Sequence, residues 1–462
     1  MNQVCQSWAL RWSKLQGEQK MHGLYWGVTV LVAVLSGYNL HISLIENVAH
    51  DALSYMPSYT EKFISEGRWI NFALFEGLKR MPPDLAALLS NAFLFVFSFV
   101  VAHRFRPVLW SSVLFALVAL NIPYFTMLFK WPMTLVPGTL MMALFALLSN
   151  KMSRTVLLLT AGVLFFATYP AFYFLMPLLF VGPLQRASWP ELLRFVAVWI
   201  AGYVLGYGVS QASVYLYTTL ATDHGHWIEF AQWRKSTPMH DVASLWQNVL
   251  KSSGNFERNA RYIADLSGWF YLPVLAVMLW ALGQEFKYCV LVFMVIFSIY
   301  ASVLVLGVNV PLRSGITLPL GLMMFALLVK TDWARGALLL CLCVPFAYKM
   351  HDYNFGYNHK RIYMAQLFNA NDARHYLKQP QQFKRIVVTL DERKMSDYFY
   401  DLTRSRTFIN RHNLREHYIK PFLYKNGWGF DQIQVKNIKR PETPVGKAKV
   451  QKQGNTLLMT LE

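Results

Sequence analysis

Hydrophobic and polar positions fall into long blocks between residues 24 and 350. About eleven apolar stretches follow one another there, separated by short polar breaks. Because about 20 apolar residues cross the roughly 30 Å hydrocarbon layer of a bilayer, the pattern predicts an all-α polytopic membrane protein. The predicted spans are 24–45, 86–102, 108–128, 133–149, 155–169, 171–184, 195–217, 268–283, 288–307, 316–330 and 336–350.

Basic residues predict the orientation of these spans. Lys and Arg occur in alternate breaks, and cytoplasmic loops are enriched in both residues. The basic breaks are 103–106, 150–154, 185–194, 284–287 and 330–335. The N-terminal segment 1–23 is then a cytoplasmic amphipathic helix on the inner leaflet. The transmembrane domain covers 24–350, and its long loops 46–85 and 218–267 face outward.

The C-terminal segment 351–462 has a different pattern. A polar, helix-permissive run at 358–377 precedes strand-like segments at 383–390, 430–435 and 457–461, with a Gly-rich turn before the second. We expect a small extracytoplasmic α/β domain, which is periplasmic if the chain belongs to a bacterial inner membrane.

Composition narrows the class of partner. The net charge is +19 over 462 residues, of which 55% are hydrophobic. About nine of these charges lie in the breaks that are predicted to face the cytoplasm, and about eleven lie in the outer C-terminal region. That distribution favours anionic headgroups or phosphorylated glycolipids and argues against nucleic acid.

Cysteine and histidine patterns predict neither a disulfide framework nor a metal centre. The four cysteines are scattered, and Cys341 and Cys343 point to different faces of one span. His224 and His226 have no convincing third ligand, so we expect no metal and no cofactor.

The first outer loop contains the strongest candidate chemistry. Asp51 comes soon after the first span, where a partly desolvated carboxylate can act as a general base. The alternative role for Asp51 is to cap the segment that follows. Glu66 is the second candidate carboxylate.

The same loop predicts a helix at 59–80 in the membrane interface, interrupted at Glu66-Gly67-Arg68-Trp69. Arg68 can form a bidentate contact with a phosphate or a carboxylate. The alternative is that Arg68 only reaches toward lipid headgroups.

These motifs together resemble the serotype-converting O-antigen glucosyltransferases, the type II glucosyl transferase membrane family. The resemblance is carried by Asp51 after the first span, Gly67-Arg68 with an aromatic residue, and the Tyr169 corner. It continues at the 311–315 segment and the 352–361 stretch. Two departures are His50 where the family often has a second aspartate, and Trp69 where proline often follows Gly-Arg.

The resemblance implies a GT-C-like glycosyltransferase that takes a sugar from a polyprenyl phosphate on the outer face. Such chemistry needs a base, cations for the departing phosphate, and aromatic planes for sugars. Candidate phosphate ligands are Arg313, Arg68, Lys130 and Arg361, and candidate sugar or acceptor contacts are Trp69, Trp131, Tyr169 and His226. The alternative role for Arg313 is a headgroup anchor, and for the aromatic residues an interfacial belt.

The implied acceptor is lipid-linked O-antigen, and the implied partners are a flippase and a polyprenyl phosphate glucosyltransferase. No nucleotide-binding motif occurs in the chain, which favours a lipid-linked donor. Rival interpretations are a lipid or glycan transporter, and a GT-C-type transferase, polymerase or ligase with a different donor.

Overall fold

The fold is mostly helical, with one small sheet near the C-terminus. The computed structural model describes residues 2–45, 58–229, 235–369, 373–395, 397, 419–438 and 448–461. Within these ranges four helices are long and apolar enough to cross a membrane: Gly23–Ile45, Pro83–Phe105, Trp189–Thr222 and Asp332–His359. A fifth candidate is the bent pair Val242–Ala264 and Gly268–Gln284. The prediction of a helical protein with membrane-capable helices is therefore confirmed.

The first half of the chain forms helices α1 to α10. Their bounds are α1 Asn2–Ile45, α2 Thr60–Glu66, α3 Trp69–Leu78, α4 Pro83–Phe105, α5 Leu109–Leu120, α6 Pro123–Leu128, α7 Pro132–Leu148, α8 Arg154–Phe166, α9 Val181–Gln185 and α10 Trp189–Thr222. A 3₁₀ helix at Pro170–Phe180 precedes α9. Because α1 starts at Asn2, the predicted N-terminal helix continues into the first span without a break.

The second half forms helices α11 to α17 and strands β1 to β4. Their bounds are α11 Val242–Ala264, α12 Leu272–Gln284, α13 Phe286–Ala301, α14 Thr317–Leu328, α15 Asp332–Asn369, α16 Ala373–Leu377, β1 Arg385–Leu390, α17 Lys420–Lys425, β2 Ile433–Asn437, β3 Ala448–Gln453 and β4 Thr456–Leu461. Short 3₁₀ helices at Gly268–Tyr271 and Leu312–Ser314 precede α12 and α14.

Several predicted spans are shorter as helices than as apolar stretches. The 108–128 stretch divides at Pro123 into α5 and α6, and the 171–184 stretch is mostly 3₁₀ helix. Proline supplies no backbone N–H and starts a new helix readily. A 12-residue helix such as α5 extends about 18 Å, less than the hydrocarbon thickness. The count of eleven spans therefore stays a prediction.

Helices α8 and α10 cross at unusually close range through glycine. A Cβ on Gly162 would lie 2.0 Å from the carbonyl oxygen of Gly202, and one on Gly206 would lie 2.3 Å from that of Gly162. Tyr173 strengthens the crossing by donating a 2.6 Å hydrogen bond to the Trp199 carbonyl. This contact fixes α10, whose Tyr203, Tyr207 and Ser210 line the cavity described below.

We expect Gly206→Ala to lower the thermal unfolding midpoint in detergent, because an added methyl group would collide with backbone and with Phe166. Overpacking of this kind costs about 1–3 kcal/mol. Gly208→Ala is the matched control, since it lies on the same helix and its Cβ would meet nothing within 4 Å. Equal unfolding midpoints for the two variants would show that the crossing is not tight.

The basic breaks predicted to share one side of the membrane contact one another. Arg106 donates 2.8 Å and 2.7 Å hydrogen bonds to the carbonyls of Val329 and Lys330. Arg104 binds the Ser149 hydroxyl, and Lys287 donates a 2.7 Å bond to the Ala187 carbonyl. The helix ends at these breaks therefore lie close to one another, and the side of the membrane that they face stays a prediction.

The C-terminal sheet has strand order β2-β1-β4-β3. Strand β1 is parallel to β2 and β4, and β3 is antiparallel to β4. The predicted strands 383–390, 430–435 and 457–461 correspond to β1, β2 and β4, whereas the sequence pattern did not indicate β3. Phe368 of α15 stacks on Phe422 of α17 at 4.7 Å, so the domain shares packing with the end of α15.

Candidate functional site

A cavity of about 200 Å³ opens where helix ends converge on the side opposite the basic breaks. Five of the predicted site residues line this cavity, although they come from four separate parts of the sequence. They are Glu66, Arg68, Trp131, Tyr169 and Arg313.

The corner between α2 and α3 places Arg68 in this cavity. Helix α2 ends at Gly67, which adopts a left-handed conformation with φ of 71° and donates a 2.7 Å bond to the Phe63 carbonyl. Any larger residue would be strained there, and its Cβ would also lie 2.6 Å from Ile228. The predicted interruption of this helix at Gly67 is therefore confirmed.

The first turn of α3 is anchored to the body of the protein. The Ile70 amide donates to the Ala167 carbonyl at 3.1 Å. The buried Asn71 amide group donates to the Thr134 carbonyl at 2.9 Å and to the Thr168 carbonyl at 3.3 Å. These bonds hold the corner against the Tyr169 turn, so Arg68 is positioned by backbone contacts on both sides.

Arg68 is enclosed by opposite charge and by aromatic rings. It forms a salt bridge with Glu66, and its guanidinium lies 5.0 Å from the centre of the Tyr169 ring. Burial alone would lower the pKa of Arg68, but the Glu66 carboxylate and the neighbouring tyrosines outweigh it and raise the pKa above its usual value. Arg68 is thus a permanent cation with a fixed orientation.

Glu66 is a counter-ion for two cations. Lys62 lies 2.7 Å from one carboxylate oxygen, and Arg68 contacts the other. The Glu66 side chain is only 9% exposed. A carboxylate held in this way stabilises the cations around it, and an incoming proton would disrupt both ion pairs.

Tyr59 forms part of the same network and was not identified from the sequence. It is buried, and its hydroxyl accepts a 3.3 Å bond from the Asn71 amide group. Burial raises the pKa of Tyr59, while the nearby Arg68 opposes that change. Tyr59 is therefore a neutral hydrogen-bonding group on the cavity wall.

Arg313 lines the cavity from the other side. It lies in the 3₁₀ turn Leu312–Ser314 just before α14, after extended backbone at Pro311. Its guanidinium is 4.4 Å from the centre of the Trp131 ring. The hydroxyls of Tyr169 and Ser314 are 3.2 Å apart, so the two halves of the site are joined directly.

The charge of the cavity is positive among the residues that the structure describes. Lys62, Arg68 and Arg313 line it, and Glu66 is the carboxylate that opposes them. Three cations against one anion leave two positive charges at a partly enclosed site. Such a site favours a ligand with a phosphate or another anionic group.

The remaining lining is aromatic and aliphatic. Tyr203, Tyr207 and Ser210 of α10 face the cavity at helical spacing, and Phe166, Phe174 and Ile299 complete that side. Asn309 and Ser302 add polar groups from the segment after α13. The i, i+4, i+7 spacing on α10 was the signal in the sequence that could have identified this wall.

Lys130 lies outside the cavity lining. Its ammonium group is buried, donates a 3.1 Å bond to the Ser43 carbonyl and lies 5.2 Å from the Tyr357 ring. A cation near the last carbonyls of a helix is stabilising. The contacts of Lys130 within the described residues therefore include the end of α1 and the Tyr357 ring, and its role as a phosphate ligand stays a prediction.

Trp69 and His226 are likewise outside the lining. Trp69 packs behind the wall, against the cluster that contains Tyr59 and Phe75. His226 is exposed, and its backbone N–H donates a 2.8 Å bond to the Thr218 hydroxyl.

Two predicted residues cannot be placed. Asp51 lies outside the described residues, and so does the side chain of Arg361, whose backbone belongs to α15.

Comparisons of the chain with protein-family models, with curated protein sequences and with solved structures give no match. The resemblance to O-antigen glucosyltransferases therefore stays a prediction from short motifs. Fold and site define a helical protein with membrane-capable helices and a cavity that combines fixed cations with aromatic rings.

Proposed function

We propose that this chain is a membrane glycosyltransferase. It moves a sugar, which the motif resemblance indicates is glucose, from a polyprenyl phosphate sugar to lipid-linked O-antigen or a related surface glycan. The observation that supports this proposal most is the convergence of Arg68, Arg313, Trp131 and Tyr169 on one cavity. Each arginine there is paired with an aromatic ring.

In the proposed reaction, a single displacement occurs at the anomeric carbon of the sugar. The acceptor hydroxyl oxygen forms the new bond to that carbon while the bond to the phosphate oxygen breaks. Arg313 and Arg68 stabilise the phosphate as it gains negative charge. Asp51 receives the proton of the acceptor hydroxyl, and Trp131 and Tyr169 supply apolar surfaces of the kind that pack against sugar rings.

The proposed setting is the periplasmic face of a bacterial inner membrane. A polyprenyl phosphate glucosyltransferase would charge the lipid carrier on the cytoplasmic side, and a flippase would deliver it. Aromatic and aliphatic side chains next to the cationic groups suit a donor that is both anionic and lipidic.

A direct test uses the full chain, purified and reconstituted in vesicles with polyprenyl phosphate glucose and lipid-linked O-antigen. Mass and linkage measurements on the glycan should show one added hexose per repeat unit. Movement of labelled donor lipid across the bilayer without transfer would support a transporter instead. Transfer from a different polyprenyl-linked sugar alone would retain the class of enzyme and change the donor.

We also propose the eleven-span topology, with the N-terminus inside and the C-terminal domain outside. A green fluorescent protein joined at residue 18 should fluoresce, and alkaline phosphatase joined at the C-terminal end should be active. The basic breaks, which lie close to one another, are the physical reason for this expectation. An inactive phosphatase at the C-terminal end would contradict both the span count and an outer location for the cavity.

A further inference from the structure

Helix α11 is polar on its buried face and partly apolar on its exposed face. Its buried stripe is polar, with Asn248, Ser252, Asn255 and Asn259 turned toward the protein. Its exposed stripe begins with Val242, Trp246 and Leu250, which are 82%, 62% and 57% exposed. Exposed apolar side chains on a helix with a polar buried face mark a surface for lipid or for another protein.

The exposed face of α11 changes character along its length. After Leu250 the residues at about the same helical angle are Ser253, Glu257 and Arg261, and the last two form an exposed salt bridge. The first half of the face is therefore apolar, and the second half is charged. A helix in the membrane interface would show this pattern if its first half lay deeper than its second.

The bend between α11 and the following helix predicts the same difference in depth between the two halves of α11. The axes of Val242–Ala264 and Gly268–Gln284 differ by 102°, which is 12° beyond perpendicular. If the second helix follows the membrane normal inward, the 23 residues of α11 rise outward by about 7 Å along the chain, at 1.5 Å per residue. This depth is comparable with the roughly 5–10 Å that interfacial helices occupy.

The polar face of α11 holds one wall of the cavity. Asn248 donates 2.9 Å bonds to the carbonyls of Leu304 and Thr237, and Ser252 donates a 2.8 Å bond to the Tyr300 carbonyl. Arg258 donates a 2.6 Å bond to the carbonyl of Val310. The irregular segment 302–311 contributes seven residues to the cavity lining. Hydrogen bonds from α11 therefore hold this segment in place.

We propose that α11 is a membrane-interface helix whose Val242–Trp246–Leu250 face binds the lipid of the outer leaflet while its asparagine face braces the cavity wall. The partner is the bilayer itself. This proposal depends on the membrane-capable helices and not on the proposed transferase activity.

The test of the lipid contact uses spin labels on single cysteines in a cysteine-free background of the full chain. Vesicles of phosphatidylethanolamine and phosphatidylglycerol supply the bilayer. Labels at Trp246→Cys and Leu250→Cys should be more accessible to oxygen than to a water-soluble nickel complex. Labels at the matched controls Glu257→Cys and Arg261→Cys, on the same exposed face, should show the reverse order.

Equal nickel access at residues 246 and 261 would overturn the lipid contact, because the face would then be in water. Dipolar coupling between labels of two copies at residue 246 would also overturn it, because a second chain would occupy the face. Either result leaves the transfer assay unaffected, so this proposal and the proposed function can fail separately.

The support of segment 302–311 by α11 is tested with a spin label at Val305→Cys, an exposed position within that segment. Asn248→Ala removes the bonds to Leu304 and Thr237 and should convert an immobilised spectrum into a mobile one. Ser253→Ala, on the exposed side of the same helix, should leave the spectrum unchanged. An unchanged spectrum for folded Asn248→Ala protein would show that α11 does not brace the wall.

Discussion

Arg313→Ala should lose transfer activity by about 100-fold or more while the protein still folds and inserts. The guanidinium is fixed over the Trp131 ring at 4.4 Å and lies in a cavity with two other cations. A positioned donor of this kind acts on charge that develops as the bond to phosphate breaks, and its loss typically costs 100- to 1,000-fold in rate. Initial rates of hexose transfer in vesicles measure the effect.

Two further variants separate the catalytic role of Arg313 from its alternatives. Arg80→Ala removes an exposed cation of the same outer segment that does not line the cavity, so it should transfer at a normal rate. Arg313→Lys keeps the charge but not the planar guanidinium, and it should recover only part of the activity. Near-normal transfer by Arg313→Ala would reduce Arg313 to a headgroup anchor.

The sequence predicted the local features of the site more successfully than its assembly. The corner at Gly67 was predictable because glycine interrupts an otherwise periodic segment, and the structure places Gly67 in the left-handed region. The pairing of Arg68 with Tyr169 and of Arg313 with Trp131 was not predictable. Those partners are separated by more than a hundred residues in the chain, and only packing brings them together.

Lys130 shows that a local pattern does not give the contacts of a side chain. Its position in a tight outer corner makes it a candidate phosphate ligand, and the structure places its ammonium group beside the Ser43 carbonyl, with Lys130 outside the cavity lining. The periodicity of apolar residues gives the end of a span without giving the direction of a side chain at that end. Burial of Lys130 at 1% exposure therefore followed from contacts with α1 and α15 that no local pattern contains.

The helical segments show where hydrophobicity alone misleads. Apolar stretches such as 108–128 were counted as single spans, but Pro123 divides that stretch into two short helices. Conversely, the 218–267 loop contains α11, which a pattern of apolar residues does not predict because its buried face is polar. Strand β3 was missed for a related reason, since its alternating Lys and Gln residues resemble a solvated segment.

The last prediction concerns the identity of the base. Among the described residues, Glu66 is the carboxylate that lines the cavity, and it is bound by both Lys62 and Arg68. Proton uptake by Glu66 would weaken two ion pairs in a buried setting, so Glu66 is better suited to orient Arg68 than to accept a proton. Asp51, in the segment that precedes α2, is the remaining candidate from the sequence.

Asp51→Asn should therefore lower the rate of transfer by roughly 100- to 10,000-fold, because an amide retains size and capping ability but cannot accept the hydroxyl proton. Glu66→Gln should lower kcat less than Asp51→Asn does, because Arg68 keeps its charge and loses only a counter-ion, and it should also raise KM for the donor as Arg68 loses its fixed orientation. Measuring KM and kcat separately for the two variants distinguishes these effects. A wild-type kcat for membrane-inserted Asp51→Asn protein, together with a collapsed kcat for Glu66→Gln, would transfer the role of base to Glu66, because saturation with donor does not replace a lost proton acceptor.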